Sequence, residues 1–209
     1  MTPDRVVHGC VDTLDVDGAA LTALGTRGEF VQLAVAGPAT GRIAELQLTT
    51  GTGPCWEAGH THRPTHGPDL TPPAAQARWP GFAAAAVEQG VRAVFAFPVL
   101  AGAHCCGTLL LCRHRPGPLP PDQVLRGLGF AEAALWALLD LRADQLADPL
   151  GAGQNRIFQA SGMIAAQLDT GVDDALTRLR AHAWTSNRSL AETATDVLAH
   201  RLRFTPEPT

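Results

Sequence analysis

The chain of 209 residues has no lysine and no tyrosine, so all sixteen of its basic residues are arginine. It also lacks long apolar runs. Arg5, His8 and Asp12 interrupt the N-terminal segment, and no stretch approaches the roughly 20 apolar residues that a membrane span needs. These absences argue against a signal peptide and against a membrane partner. We therefore expect a cytoplasmic protein.

Cysteine is scarce, and its spacing fits neither a disulfide framework nor a zinc site. The five cysteines are an odd number and include no C-x-x-C pair, so we expect most of them to be small buried side chains. His60, His62 and His66 lie close together but fit no standard metal motif. We interpret their segment as a solvated loop and predict no metal site.

The net charge of −4 is unevenly distributed. Residues 1–150 hold ten arginines against fourteen acidic residues, whereas residues 151–205 hold six against five. Such a balance is weak support for binding to nucleic acid, which usually requires a basic patch. A patch would still form if the C-terminal arginines converge on one face of the fold: Arg178, Arg180, Arg188, Arg201 and Arg203.

Three segments between about residues 155 and 204 repeat apolar side chains with helical spacing. The second opens with Thr170 and Asp173, and the third with Ser189 and Glu192, both at the spacing of a capping box. Gly162 lies beside the first apolar stripe, where a neighbouring backbone could approach closely. We expect the second helix to bury one face: Val172, Ala175, Leu176, Leu179 and Ala183. Short connections between the three segments predict a three-helix bundle.

Short apolar stretches bounded by glycine and proline predict strands in the N-terminal part. The predicted strands are Gly18–Leu24, Glu29–Ala36, Val91–Val99 and Thr108–Cys112. Helices are predicted near Gly41–Gln47 and Ala83–Gln89, with a long irregular stretch from Thr49 to Pro73. This order favours an α+β domain with one antiparallel sheet.

A long helix is predicted from Pro121 to Leu146, followed by a hinge at 148–153. Its first apolar seam has the spacing of a coiled coil: Val124, Leu128, Ala131, Leu135 and Leu138. A second stripe is formed by Leu125, Trp136 and Leu139. One face can therefore cover the sheet while the other meets a second copy, which predicts a homodimer through residues 121–146. The alternative is a helix that lies wholly on its own domain.

The C-terminal segments resemble the ANTAR domain, an RNA-binding module of transcription antitermination. The resemblance rests on A-S-G-M (160–163), D-A-L-T-R-L-R-A-H-A (174–183) and S-L-A-E-T-A (189–194), in this order. It implies binding to structured RNA hairpins in leader transcripts. The residues that we expect to contact this RNA are Gln159, Ser161, Gly162, Arg180, Trp184 and Arg188. Ser161 stands where such domains often carry a basic residue.

The preceding part resembles the GAF domain, in the version found before ANTAR in actinobacterial regulators. The matching motifs are G-P-C-W-E-A (53–58), R-W-P-G-F (78–82), G-V-R-A-V-F-A-F-P-V (90–99) and C-G-T-L-L-L (106–111). The resemblance implies a sensor that binds a small molecule, although no feature identifies the ligand or a cofactor. The residues assigned to the pocket are Cys55, Trp56, Trp79, Phe82, Phe95 and Phe97. The helix that usually leads into the first strand is expected to be truncated.

Together these features predict a GAF-like sensor (1–120), a linking helix (121–148) and an ANTAR bundle (149–209). The resemblance implies a transcription antitermination regulator in which the sensor controls RNA binding. One alternative is a ligand or redox signalling module that acts on protein or DNA. Another is a thiol-based methionine sulfoxide reductase, but Cys105 and Cys106 would face opposite sides of a strand. We expect no enzyme activity, because the motifs assemble no nucleophile, base and orienting residue.

Overall fold

The computed structural model describes residues 1–24, 30–140, 152–186 and 188–205. The chain divides into two compact units, residues 1–146 and residues 147–209. The first unit contains, in chain order, α1 (Pro3–Thr13), β1 (Gly18–Leu24), β2 (Phe30–Ala36), α2 (Thr40–Thr50), α3 (Pro54–Thr61), β3 (Thr65–Gly67), α4 (Pro73–Arg78), α5 (Phe82–Glu88), β4 (Ala93–Ala101), β5 (His104–Arg113) and α6 (Pro121–Asp140). Within the described residues, no helix is both long enough and apolar enough to cross a membrane.

The first unit is built on one antiparallel sheet with the strand order β2-β1-β5-β4-β3. Alternation along β4 sends successive side chains to opposite faces. Val94 and Ala96 belong to the core beneath α2, α3 and α5. Phe97 points the other way and lies directly under Gly127 of α6. The sheet is therefore covered by helices on both faces.

The α+β fold and its antiparallel sheet confirm the prediction, but two segments differ from it. The stretch Thr49–Pro73, predicted as irregular, contains α3 and β3. Pro54 begins α3 after Gly53, whose φ of +140° strongly favours glycine. The N-terminal helix, expected to be truncated, spans eleven residues, and its Thr2 hydroxyl accepts the backbone N–H of Arg5.

The helix α6 packs against β4 and β5 with part of its first apolar seam. Ala131 and Leu138 are buried, whereas Val124 and Leu135 are half-buried. The predicted end of this helix, residues 141–146, and most of the hinge lie outside the described residues. All three side chains of the second stripe, Leu125, Trp136 and Leu139, are exposed.

The second unit contains α7 (Ala152–Leu168), α8 (Val172–Thr185) and α9 (Leu190–Leu198). This arrangement confirms the predicted three helices. Small side chains fill much of their core, together with a few larger ones: Ile157, Ala160, Ile164, Ala175, Leu179, Ala183, Leu190, Ala194 and Val197. The tail packs back on this unit, since the Phe204 backbone N–H donates to Gln167 at 3.0 Å.

The two predicted helix starts have different outcomes. At α9 the capping box is confirmed, because the Ser189 hydroxyl and the Glu192 carboxylate each accept the other residue's backbone N–H. At α8 the prediction is wrong: Gly171 precedes the helix, and the Thr170 hydroxyl donates to Asp174 instead. Val172, predicted to be buried, is 51% exposed because it starts the helix on its outer side.

Candidate nucleic-acid interface and ligand pocket

One exposed face of α8 brings together two of the residues assigned to RNA. Arg180 and Trp184 are four positions apart, so their side chains are neighbours on the helix surface. Trp184 is 47% exposed. Arg180 is half-buried, and desolvation lowers the pKa of its guanidinium while Asp173 opposes that shift. An exposed indole beside a guanidinium offers a stacking surface and a positive charge.

Arg188 lies beyond the end of α8, in the connection to α9. Its Nη1 donates to Asp196 Oδ2 at 2.6 Å. Arg201 donates to the other oxygen of the same carboxylate from Nε, at 2.8 Å. Two of the five arginines considered for a basic patch therefore converge on one acidic side chain, Asp196, which the sequence motifs did not single out.

The remaining assigned residues lie on α7, and the structure corrects two expectations there. Gln159 is exposed, but Ser161 is fully buried, and its hydroxyl donates to the Ile157 carbonyl at 2.9 Å. Ser161 therefore belongs to the bundle core, and its side chain is not exposed as the predicted RNA contact requires. Gly162 is exposed, and a Cβ there would meet nothing within 4 Å. The neighbouring backbone expected at Gly162 is not present within the described residues.

In the first unit, a cleft opens between the sheet and the helices α2 and α3, with an empty volume of about 280 Å³ that includes open solvent. The lining residues are Thr22, Phe30, Gln32, Ala44, Gln47, Leu48, Cys55 and Trp56. None of these described side chains is charged. The lining therefore offers no charged group that would neutralise an anion.

Gln47 fixes the inner wall of this cleft, although the sequence motifs did not point to it. Its Oε1 accepts the Cys55 backbone N–H at 2.7 Å, and its Nε2 donates to the Cys55 sulfur at 3.3 Å. The Trp56 indole N–H donates to the Gln47 carbonyl at 2.9 Å. This 2% exposed amide therefore holds α3 against α2.

Only two of the six predicted pocket residues line the cleft, namely Cys55 and Trp56. Trp79 and Phe82 pack in the core of the same face. Phe95 and Phe97 are fully buried on the opposite face of the sheet. An aromatic residue in the sequence does not reveal which side of a doubly covered strand it faces, so packing explains these four better than ligand contact.

The five cysteines are all free thiols, and burial disfavours the ionised form of four of them. It raises the pKa of Cys10 to about 12 and that of Cys55 to about 11. Burial also raises the pKa of Cys112 and of the half-buried Cys105. Because the thiolate is the reactive species, these four thiols are poorly suited to redox or nucleophilic chemistry.

Two motifs of the GAF resemblance meet in a network on the outer side of α3. The Glu57 carboxylate is paired with Arg78 and also accepts the Trp79 indole N–H at 3.0 Å. Arg78 lies over the Trp79 ring at 4.4 Å and donates to the His66 carbonyl at 2.9 Å. The network therefore links α3, β3 and α4, and the hydrogen bond from Arg78 lowers the pKa of Glu57.

We expect Glu57→Gln to destabilise the protein by about 1 kcal/mol at pH 7, because it removes a charged partner of Arg78 and Trp79. Since the folded-state pKa of Glu57 lies below its ordinary 4.5, this stabilisation is present above that pH and is lost as the pH falls through the folded pKa. Urea unfolding from pH 7 to pH 3 measures the difference.

Arg78→Gln serves as the matched variant, because it breaks the same ion pair from the other side. The loss in the free energy of unfolding that Arg78→Gln causes should also become smaller as the pH falls from 7 to 3. A difference between wild type and Glu57→Gln that stays constant down to pH 3 would contradict the prediction.

The three histidines do not share one loop. His60 lies in α3 and stacks on Trp56 with ring centroids 5.9 Å apart, His62 ends that helix, and His66 lies in β3. No group of three or more metal-binding side chains comes together within the described residues. Desolvation lowers the pKa of His66, and Arg78 adds to this shift.

Comparison with known proteins supports each unit separately. Residues 152–198 match the family model of the ANTAR domain. In fold, the chain is similar to the GAF domain of a phosphoenolpyruvate-protein phosphotransferase from Coxiella burnetii, at 19% identity and a TM-score of 0.54, covering 68% of this chain and 83% of that one. The corresponding Acinetobacter GAF domain gives 15% identity and a TM-score of 0.52, covering 66% and 80%.

A type II free methionine-R-sulfoxide reductase from Thermoplasma acidophilum is also similar, at 12% identity and a TM-score of 0.50, covering 66% of this chain and 89% of that one. Identities this low establish a shared fold and not a shared activity. No curated protein matched the sequence. The chain therefore combines a domain of the GAF fold with an ANTAR domain.

Proposed function

We propose that this protein is a transcription antitermination regulator whose ANTAR domain binds structured RNA under the control of the GAF-fold domain. The observation that carries the proposal is the ANTAR match over residues 152–198. The exposed Trp184 beside the half-buried Arg180 supports it physically, because single-stranded loop bases stack on aromatic rings and guanidinium planes. A protein that acts on transcripts during their synthesis in a bacterium works in the cytoplasm.

Hairpin loops are the expected target within the RNA. The deep, narrow major groove of an A-form stem hides its base edges, whereas unpaired loop bases present both edges and faces. The near-neutral charge of the second unit suggests few phosphate contacts and a modest dependence on salt. Recognition would then rest on stacking and shape more than on charge.

The test is a gel-shift titration of the full chain with a synthetic RNA that carries two stem-loops with randomised loops. Members of this pool should bind, and the DNA of matched sequence should bind more weakly. A tightest-binding RNA can then be selected and sequenced. Equal affinity for RNA and DNA, or no binding to RNA, would reject the proposal.

We further propose that α6 mediates a homodimer, which would place two ANTAR domains on one paired-hairpin target. Four large apolar side chains remain exposed on this helix: Leu125 at 69%, Leu128 at 42%, Trp136 at 60% and Leu139 at 58%. At about 100° per residue, they fall on one stripe roughly 80° wide. A second copy would remove this stripe from water.

Leu139→Glu should convert the dimer into a monomer, because it places a charge in the proposed apolar interface. Light scattering at micromolar concentration should give twice the 21.9 kDa chain mass for wild type and a single chain mass for the variant. Arg126→Glu is the control, since Arg126 is exposed on α6 away from the stripe. A monomeric wild type, or a dimer unaffected by Leu139→Glu, would contradict the prediction.

The first unit is proposed to act as the sensor, with the cleft beside Cys55 and Trp56 as the ligand site. Binding there would shift the population of states that expose the two ANTAR domains. Enzyme activity is not expected. The reductase alternative requires reactive thiolates, whereas burial raises the pKa of Cys55 and Cys105.

A further inference from the structure

The carboxylate of Asp196, in the last turn of α9, holds two arginines: Arg188 from the connection before the helix and Arg201 from beyond its end. Its Oδ2 accepts Arg188 Nη1 at 2.6 Å, and its Oδ1 lies 2.8 Å from Arg201 Nε and 2.6 Å from Arg201 Nη2. Only 18% of the Asp196 side chain is exposed, compared with 42% for Arg188 and 62% for Arg201. The carboxylate is therefore mostly buried, and the two guanidinium groups lie on its solvent side.

The backbone on both sides of this cluster is fixed. The Arg188 N–H donates to the Ala183 carbonyl at 3.0 Å, which ties it to the end of α8. The Arg201 N–H donates to the Asp196 carbonyl at 2.8 Å, just beyond the end of α9. The backbone N–H of each arginine and one side of its guanidinium group are already held in hydrogen bonds. Both side chains would therefore lose less conformational entropy on binding a ligand than free arginines would.

Each guanidinium still has donors to offer. Arginine carries five N–H groups, of which Arg188 and Arg201 each use one in a hydrogen bond to Asp196, while Arg201 Nη2 lies in ion-pair contact with the same carboxylate. Neither guanidinium has another acceptor within the described part of the chain. The nearest other acid on α9, Glu192, accepts the Ser189 backbone N–H of the capping box at 3.2 Å. Two positive charges against one carboxylate leave the cluster with a net charge of +1.

We propose that Arg188 and Arg201 form a phosphate-binding fork for the RNA backbone and that Asp196 is the positioning residue that orients it. Two arginines presented side by side match the oxygens of a phosphodiester, which guanidinium groups bind through paired hydrogen bonds. The inference rests on the proposed RNA-binding function. The fork adds a contact to the RNA backbone, next to the helix that carries Trp184. Such a contact sets the register of the protein on the RNA but does not read the base sequence.

The decisive variant is Asp196→Asn in the full chain, because the two roles of Asp196 predict opposite results. If Asp196 positions the fork, the variant binds RNA more weakly although it has gained one unit of positive charge. If Asp196 merely neutralises the arginines, the variant binds RNA more tightly. The probe is the stem-loop RNA selected from the randomised pool, titrated from about 50 to 200 mM salt.

Arg188→Ala and Arg201→Ala should each weaken binding about tenfold. Each should also reduce the slope of log affinity against log salt by roughly 0.7 to 0.9, the value for one lost phosphate contact. Arg201→Lys keeps the charge but not the planar fork, so it should lose affinity as well. Arg126→Ala removes the same charge from an exposed site in the first unit and should leave RNA affinity unchanged.

Circular dichroism of each variant shows whether the bundle remains folded. Tighter binding by Asp196→Asn, or an unchanged salt slope in Arg201→Ala, would overturn the fork. If these variants bind like wild type while Trp184→Ala loses affinity, the fork fails and the RNA-binding function stands. A wild-type chain that binds no RNA overturns both.

Discussion

Gly107→Ala is expected to destabilise the first unit by about 3 kcal/mol, in the upper range for overpacking a well-packed site. Gly107 lies in β5 opposite Ala23 of β1. A Cβ there would lie 2.1 Å from the Thr22 carbonyl oxygen and 3.1 Å from the Ala23 Cα. Since both are backbone atoms of the neighbouring strand, β1 and β5 would have to separate locally.

Calorimetry of the full chain measures this effect as a lower unfolding temperature of the sensor transition. A loss of 3 kcal/mol corresponds to a decrease of roughly 6 to 12 °C for a domain of this size. Gly129→Ala is the matched control, because a Cβ at Gly129 meets nothing within 4 Å and alanine favours the helix. That variant should be neutral or slightly stabilising, and an equal decrease in both variants would refute the steric explanation.

The second large effect is expected at the RNA interface, where Trp184→Ala should weaken binding by roughly 1 to 3 kcal/mol, the contribution of one stacked base. Trp184 is 47% exposed, so the bundle core should tolerate its removal. Trp184→Phe should recover part of the affinity, because phenylalanine keeps an aromatic face. Titration with the selected stem-loop RNA provides the measurement.

Val172→Ala is the control for this experiment, since Val172 is a comparably exposed apolar residue at the other end of α8. It should leave RNA affinity unchanged. If Trp184→Ala binds RNA like wild type, or if it loses affinity only because the bundle has melted, Trp184 is not a stacking residue.

Sequence periodicity was sufficient to predict the sheet and the bundle because both depend on long apolar patterns. The stripe of Ile157, Ala160 and Ile164 is buried as expected, and β5 contains the predicted strand Thr108–Cys112. Short elements were not predicted because they contain no such long pattern. The three residues of β3 are too few to show alternation, and α3 is amphipathic over only two turns.

The candidate site was less predictable because it depends on side-chain direction. Ser161 follows a buried residue, yet it is buried too because its hydroxyl is satisfied by the carbonyl one turn back. The hydrogen bond between Arg188, in the connection before α9, and Asp196, in α9, follows no regular sequence spacing that would predict it. In the sequence Gln47 is one polar residue on a predicted helix. Its buried amide bonds to Cys55 of α3, a contact that depends on how the two helices pack.

The position of β1 in the sheet determines when the first unit can fold during its synthesis. β1 is the first strand to leave the ribosome, but one of its two neighbours is β5, where Gly18 pairs with Cys112. Its early partner is β2 alone, and a two-stranded hairpin is only marginally stable in water. The nascent domain must therefore keep an apolar strand edge uncovered until Arg113 has emerged, whereas the three helices of the second unit make local contacts that form quickly. Translation speed between β2 and β5 thus sets how long the growing chain is vulnerable to aggregation or requires a chaperone.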